Sequence, residues 1–144
     1  MTRGTPLGGV LSIAIVLVIC ARVAWVCDDA YITFRTIDHW QLGYGPVWNI
    51  AERVQTYTHP LWMMMLAGAS SLTGELYFTA IALGLVCTGL ALHALGQLEG
   101  AATTWPLLLV LACSKAWTEF ATSGLENALG YAIIAGSISL LSPR

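Results

Sequence analysis

Charged side chains are scarce in this sequence, which has six Lys or Arg and eight Asp or Glu among its 144 residues. Ordinary soluble domains are about 25% charged, whereas this chain is 10% charged and 57% hydrophobic. This composition excludes a soluble globular fold and a disordered chain. The net charge of −2 leaves no basic patch and excludes a nucleic-acid-binding protein. We therefore expect a single membrane domain over residues 1–144.

Cysteine motifs are also missing. The four cysteines form no Cys-x-x-Cys pair, and no cluster of Cys and His has the spacing of metal ligands. This pattern excludes a secreted disulfide scaffold. All four lie in apolar stretches, where they are predicted to pack as small hydrophobic residues: Cys20, Cys27, Cys87 and Cys113.

Long apolar runs are what the sequence does contain. Four of them predict transmembrane helices, since a span needs about 20 residues: residues 7–26, 76–98, 105–120 and 125–142. The third is interrupted near its end by Lys115 and Glu119. The first imitates a signal peptide, but no small-residue cleavage site follows it, so it is interpreted as a retained helix. The expected fold is an all-α integral membrane protein with about four transmembrane helices.

The apolar segment at residues 60–72 is too short to be a fifth span. A helix of this length reaches about 20 Å, whereas the hydrocarbon core is about 30 Å thick. Pro60 suits the first turn of a helix, so the segment is predicted to be a half-helix that dips into the membrane. Four spans and the terminal arginines then place both termini in the cytoplasm. The loop at residues 27–59 and the turn at residues 123–126 lie outside the cell in this topology.

An acidic pair, Asp28 and Asp29, directly follows the first apolar run. Carboxylates are disfavoured at a helix C-terminus, so a functional role would explain them. The pair can supply a general base, or bind a hard divalent cation, or serve only as a solvated stop after the span. The apolar spacing that follows predicts an amphipathic surface helix over residues 29–42.

Four separated sequence blocks carry a family resemblance. They read DDAYI-x-FR from Asp28, G-x-G-x-VWN from Gly43, ERV-x-x-YT-x-x-LW from Glu52 and SGLE from Ser123. In this order they resemble the GT-C superfamily of integral-membrane glycosyltransferases, and in particular the group of mycobacterial terminal arabinofuranosyltransferases. The resemblance runs along nearly the whole chain.

The resemblance implies an activity. Members of the superfamily transfer a sugar from a polyprenyl-phosphate donor to a glycan acceptor, here arabinofuranose to cell-wall arabinan, at the outer face of a cell membrane. It makes Asp28 and Asp29 the catalytic acids and Glu126 a second acidic site. It also implies that these three carboxylates can hold a divalent cation, with no other cofactor.

Superfamily members generally have eight or more spans, so this sequence is expected to be the N-terminal module of such an enzyme, a truncated gene product or a split subunit. The donor and acceptor sites of the later helices would then come from elsewhere, such as a C-terminal partner chain. The other partners expected are the lipid donor, the glycan acceptor and the bilayer.

Residues of the loop are candidates for substrate binding. Arg35 and Arg53 can hold the lipid phosphate, or pair instead with Asp38 and Glu52. Three further candidates each have a second interpretation: Trp48 and Tyr57 stack on a sugar or form an aromatic belt, and His59 binds phosphate or steers a proton, or caps the half-helix.

Glu126 also has a structural interpretation. Ser123 and Glu126 have the spacing of a capping box at the start of the last helix, and such a role is compatible with a catalytic one.

A non-enzymatic membrane protein is the alternative: a fragment, an assembly subunit or a transporter component. A transporter places ionisable residues at the middle of the membrane. Here the acids are predicted to cluster at the outer surface, and this favours the enzyme.

Overall fold

A computed structural model describes residues 6–52, 54–98 and 101–142, and all regular structure in these ranges is helical. The helices are α1 (Pro6–Arg22), α2 (Asp28–Gln41), α3 (Pro60–Thr73), α4 (Tyr77–Leu98), α5 (Ala101–Cys113), α6 (Lys115–Phe120) and α7 (Asn127–Leu141). The all-α prediction is confirmed.

Helix α4 lies at the centre and packs mainly against α7, with α1, α3 and α5 also in contact with it. It is the one helix of the described ranges that is long and apolar enough to cross a membrane. Its 22 residues reach about 33 Å. The apolar parts of α1 and α7, Gly8–Arg22 and Asn127–Leu141, are shorter.

The acidic pair does not end the first apolar helix, contrary to the sequence interpretation. Helix α1 ends at Arg22, the chain leaves helical geometry, and Cys27 becomes the N-cap of α2 in an extended conformation. Asp28 and Asp29 therefore occupy the first turn of α2. The positive end of a helix dipole stabilises carboxylates there, so the pair suits this position electrostatically.

Helix α2 confirms the predicted amphipathic helix, with both bounds shifted by one residue, and its place on the membrane surface stays a prediction. Its buried face consists of Ala30, Thr33, Phe34, Thr36 and Ile37. The small and apolar members of this face join residues of α3, α4 and α7 in one core cluster, in which Trp62 and Leu66 are almost fully buried. The site described below lies directly against this cluster.

Helix α3 confirms a short helix that begins at Pro60, and its dip into the membrane stays a prediction. Pro60 stands at its first position, and Gly74 ends it in the left-handed conformation with φ of +79°. Its 14 residues reach about 21 Å, short of the hydrocarbon core.

The predicted span over residues 105–120 is not one continuous helix. It breaks at Ser114, which has an extended ψ of 104° and accepts a hydrogen bond from the Trp117 backbone N–H. Serine readily stops one helix and caps the next in this way. Helix α5, with 13 residues, is then too short to span alone. Lys115 and Glu119, which interrupt the predicted span, form an ion pair within α6 at 3.6 Å.

The cysteine prediction is confirmed in part. All four thiols are free, and three are buried among packed helices: Cys20, Cys27 and Cys87. Cys113 is exposed at the end of α5.

Candidate functional site

An open cavity of about 480 Å³ lies where α2, α3 and α7 begin. Its lining comes from three of the four sequence blocks and is rich in hydroxyl, carboxylate and imidazole groups. The lining residues are Asp29, Ile32, Thr33, Gln55, Thr56, Tyr57, Thr58, His59, Leu125 and Glu126.

Three helix N-termini meet at this cavity. Asp29 lies in the first turn of α2, His59 is the N-cap of α3, and Glu126 is the N-cap of α7. The positive ends of helix dipoles stabilise negative charge within about one turn. The fold therefore provides a favourable electrostatic environment for Asp29 and Glu126, whose carboxylates can act on a bound molecule.

His59, at the start of α3, contacts residues of both other helices, Thr33 of α2 and Glu126 at the start of α7. Its Nδ1 lies 3.2 Å from Oε2 of Glu126, and its Nε2 lies 2.9 Å from Oγ1 of Thr33. Nδ1 also lies 3.4 Å from Oγ1 of Thr58. A carboxylate only accepts hydrogen bonds, so the tautomer that carries its proton on Nδ1 turns that proton toward Glu126 and leaves Nε2 to accept from the Thr33 hydroxyl. The His59 side chain is 11% exposed, whereas that of Glu126 is 47% exposed.

The turn at residues 123–126 is fastened to α2 and α3. The backbone N–H of Cys27 donates to the carbonyl oxygen of Ser123 at 2.9 Å. The indole Nε1 of Trp62 donates to the carbonyl oxygen of Gly124 at 2.8 Å, in a buried position. Gly124 has a φ of +83°, and a Cβ there would lie 2.8 Å from the Cβ of Ala30. Close packing against α2 thus requires a glycine, and this contact fixes the position of Glu126.

The predicted capping box is absent, and this prediction is wrong. Ser123 donates its hydroxyl to the carbonyl oxygen of Phe120 instead of capping α7. Glu126 itself is the N-cap residue, and its side chain makes no capping hydrogen bond. His59 does stand at the N-cap position of α3, but its side chain likewise makes no capping hydrogen bond. The two side chains contact each other across the cavity.

The two aspartates are placed differently. Asp29 lines the cavity together with His59 and Glu126. Asp28 is exposed, is not among the lining residues, and accepts the Asp29 backbone N–H at 3.1 Å through its Oδ1. The catalytic role expected for the pair stays a prediction, and the geometry directs it to Asp29.

The substrate-binding candidates are only partly brought together. Tyr57 and His59 line the cavity. Arg35 and Trp48 do not, because Arg35 holds the loop: its Nε donates to the carbonyl oxygen of Trp48 at 3.0 Å, and its guanidinium lies 4.6 Å from the centre of that indole ring.

The arginines were expected to pair with Asp38 and Glu52, but in the structure Glu52 and Arg35 both contact Asn49. Glu52 accepts from Nδ2 of Asn49 at 3.0 Å, and Asn49 also accepts from Nη2 of Arg35 at 3.3 Å. Arg53 lies outside the described residues.

Thr33 is one of several lining residues that sequence reasoning missed, together with Gln55, Thr56 and Thr58. It lies four residues after Asp29, and residues at this spacing share one face of a helix. That spacing was the available signal, since the predicted helix already included both positions.

The divalent cation stays a prediction. Within the ranges that the structure describes, no three His, Cys, Asp or Glu side chains come together as a metal site. We assign no chemical step to a metal ion.

Comparison with known proteins supports the sequence resemblance. The chain is similar to the terminal β-(1→2)-arabinofuranosyltransferase of Mycobacterium tuberculosis, at 35% identity over 119 residues that cover 73% of this chain. It is also similar to the protein of the same name from Corynebacterium glutamicum, at 45% identity over 38 residues that cover 26% of this chain.

The matched parts of these relatives are small. The chain spans 19% of the length of the mycobacterial protein and 6% of that of the corynebacterial one. No family model matches the chain, and neither does any solved structure.

Proposed function

We propose that this chain, like the arabinofuranosyltransferases it resembles, contributes the acceptor-activating part of a membrane glycosyltransferase. The enzyme transfers a sugar, arabinofuranose by analogy with the relatives' name, from a polyprenyl-phosphate donor to a glycan hydroxyl at the outer membrane face. One observation carries the proposal: Asp29, His59 and Glu126, from three separate sequence blocks, line the same cavity.

The cavity has properties that suit a sugar. Its volume of about 480 Å³ falls within the usual range for small-molecule sites, about 300–1,000 Å³. Side-chain groups of Gln55, Thr56, Tyr57 and Thr58 line it beside the two carboxylates. Hydroxyl, amide and carboxylate groups are the donors and acceptors that hydroxyl-rich ligands need. Helix α4, which packs against α3 and α7, is long and apolar enough to cross the membrane that carries the lipid donor.

The proposed reaction uses Asp29 as a general base. Its carboxylate accepts the proton of the acceptor hydroxyl, whose oxygen forms a bond to the anomeric carbon of the donor sugar. The bond from that carbon to the phosphate oxygen breaks, and its electron pair leaves with the polyprenyl phosphate. Glu126 accepts a hydrogen bond from a neighbouring sugar hydroxyl and so orients the acceptor.

The test is transfer of radiolabelled sugar from a polyprenyl-phosphate donor, in membranes that carry the full-length protein. Asp29→Asn keeps the shape of the side chain and removes the base. Turnover should fall by about 10²–10⁴-fold, the usual contribution of a positioned base. The control is Asp38→Asn, an exposed position on the same helix that does not line the cavity.

Two results would contradict the proposal. Wild-type turnover in Asp29→Asn would remove the base from the mechanism. Absence of transfer by membranes that carry the wild-type chain together with the C-terminal partner chain, with both inserted and folded, would favour the non-enzymatic alternative.

A further inference from the structure

The side chains of the two N-cap residues His59 and Glu126 contact each other and do not cap their own helices. An N-cap side chain commonly accepts a hydrogen bond from the first turn of its helix and stabilises that helix. Neither His59 nor Glu126 makes this bond. Their side chains instead lie 3.2 Å apart between the starts of α3 and α7. Local stabilisation of either helix therefore does not explain the position of these two groups.

The hydroxyl of Thr33 contributes to the same arrangement. One turn further along α2, Thr36 donates to the carbonyl oxygen of Ile32 four residues earlier, at 2.9 Å, as helical threonines commonly do. Thr33 places its hydroxyl 2.9 Å from Nε2 of His59. The imidazole is thus held from both sides, and its ring orientation is fixed.

The exposed fractions of Thr33 and Glu126 indicate which of the two side chains is oriented by His59. Thr33 is 1% exposed, so its hydroxyl is anchored inside the protein. Glu126 is 47% exposed and lines the cavity. A contact of this kind with an exposed carboxylate adds little to stability. The main effect of the contact is therefore to orient the carboxylate: Oε2 is held by His59, and Oε1 is left to accept a hydrogen bond from a molecule in the cavity.

From this geometry we infer that His59 is a positioning residue, which acts through Nδ1 to hold Glu126 toward the acceptor sugar. This role differs from the phosphate binding expected from the sequence, because the imidazole is occupied on both nitrogens by protein groups. The inference rests on the proposed function, since it assigns Glu126 to the acceptor.

Two amide substitutions test the contacts of the two His59 nitrogens separately. The amide nitrogen of Asn stands near the position of Nδ1 and can still donate to Glu126. The amide of Gln reaches the position of Nε2 and keeps only the contact with Thr33. In the transfer assay, His59→Gln should lower kcat by about 10- to 100-fold, because small displacements of a positioning group have effects of this size. His59→Asn should stay within about threefold of wild type, and KM should change little in both.

A double substitution tests the route through Glu126. If His59 acts by orienting that carboxylate, His59→Gln should have no further effect on kcat once Glu126 is replaced by Ala. Equal losses in His59→Asn and His59→Gln, a loss confined to His59→Asn, or additive losses with Glu126→Ala would each overturn the inference. Membrane insertion and melting temperature of every variant are measured alongside.

The proposed function fails separately from this inference. If the wild-type protein transfers sugar and Asp29→Asn is inactive, but both His59 variants behave as wild type, only the positioning role is overturned. If Asp29→Asn keeps wild-type turnover while the His59 variants differ as expected, only the base is overturned.

Discussion

Trp62 and Gly124 are joined by a hydrogen bond of 2.8 Å from the indole nitrogen to the carbonyl oxygen, and both residues are buried. This bond ties α3 to the turn that carries Glu126. Since the indole donor comes from the ERV-x-x-YT-x-x-LW block and the acceptor from the SGLE block, it also explains why two distant blocks belong to one site.

Trp62→Phe should destabilise the protein by about 1–3 kcal/mol, because the buried Gly124 carbonyl loses its partner. Thermal unfolding in detergent should show a lower melting temperature. Trp40→Phe is the matched control, since Trp40 is exposed at the end of α2. Equal melting temperatures for the two variants would mean that the hydrogen bond does not stabilise the turn.

Gly124→Ala should be more damaging than an ordinary glycine substitution. The added Cβ would lie 2.8 Å from that of Ala30, at a φ of +83°, and overpacking of this kind typically costs about 1–3 kcal/mol. Gly68→Ala is the control, because a Cβ on this α3 residue meets nothing within 4 Å and alanine favours helices. A folded yield of Gly124→Ala equal to that of Gly68→Ala would contradict the packing argument.

Substitution of Asp28 and of Asp29 should lower turnover to different extents in the transfer assay. Asp29 lines the cavity and Asp28 does not, so Asp28→Asn should lower turnover by less than about tenfold, against about 10²–10⁴-fold for Asp29→Asn. Sequence alone could not show which aspartate faces the cavity, because adjacent helical residues point in different directions and the orientation of α2 was not known. A larger loss in Asp28→Asn would reverse the assignment.

Local patterns explain which parts of the fold were predictable. The apolar spacing of α2 and the proline at the start of α3 are properties of neighbouring residues, and both helices were predicted. The break at Ser114 was missed because the apolar run before it outweighed one serine. The acidic pair was misplaced because a non-helical connection follows Arg22.

The contacts of the site were beyond sequence reasoning for a different reason. The position of Glu126 depends on the close packing of Gly124 against Ala30 and on the indole of Trp62. These contacts form only when α2, α3 and the turn at residues 123–126 are packed together. The spacing of Ser123 and Glu126 favours a capping box when only neighbouring residues are considered, but in the folded protein Ser123 bonds to Phe120 and Glu126 contacts His59.

The four-span topology is testable by cysteine labelling. In a Cys113→Ser background, which removes the exposed native thiol, Asn49→Cys should react with an impermeant reagent outside the cell. Thr103→Cys, beyond the C-terminal end of α4, should react only from inside, because α4 is long enough to cross the membrane between them. Labelling of both positions from one side would exclude this topology.

Stability at acidic pH should depend on Glu75, which precedes α4. Desolvation acts to raise its pKa, but hydrogen bonds from the backbone N–H groups of Phe78 and Thr79 and from the Thr79 hydroxyl lower the pKa below 4.5 overall. A lowered folded pKa means that the stabilisation is present above the unfolded pKa and is lost as pH falls through the folded value. The melting temperature of Glu75→Gln should therefore lie below that of wild type at pH 7 and converge with it in acid. A constant difference down to the lowest pH tested would mean that the charge of Glu75 does not stabilise the start of α4.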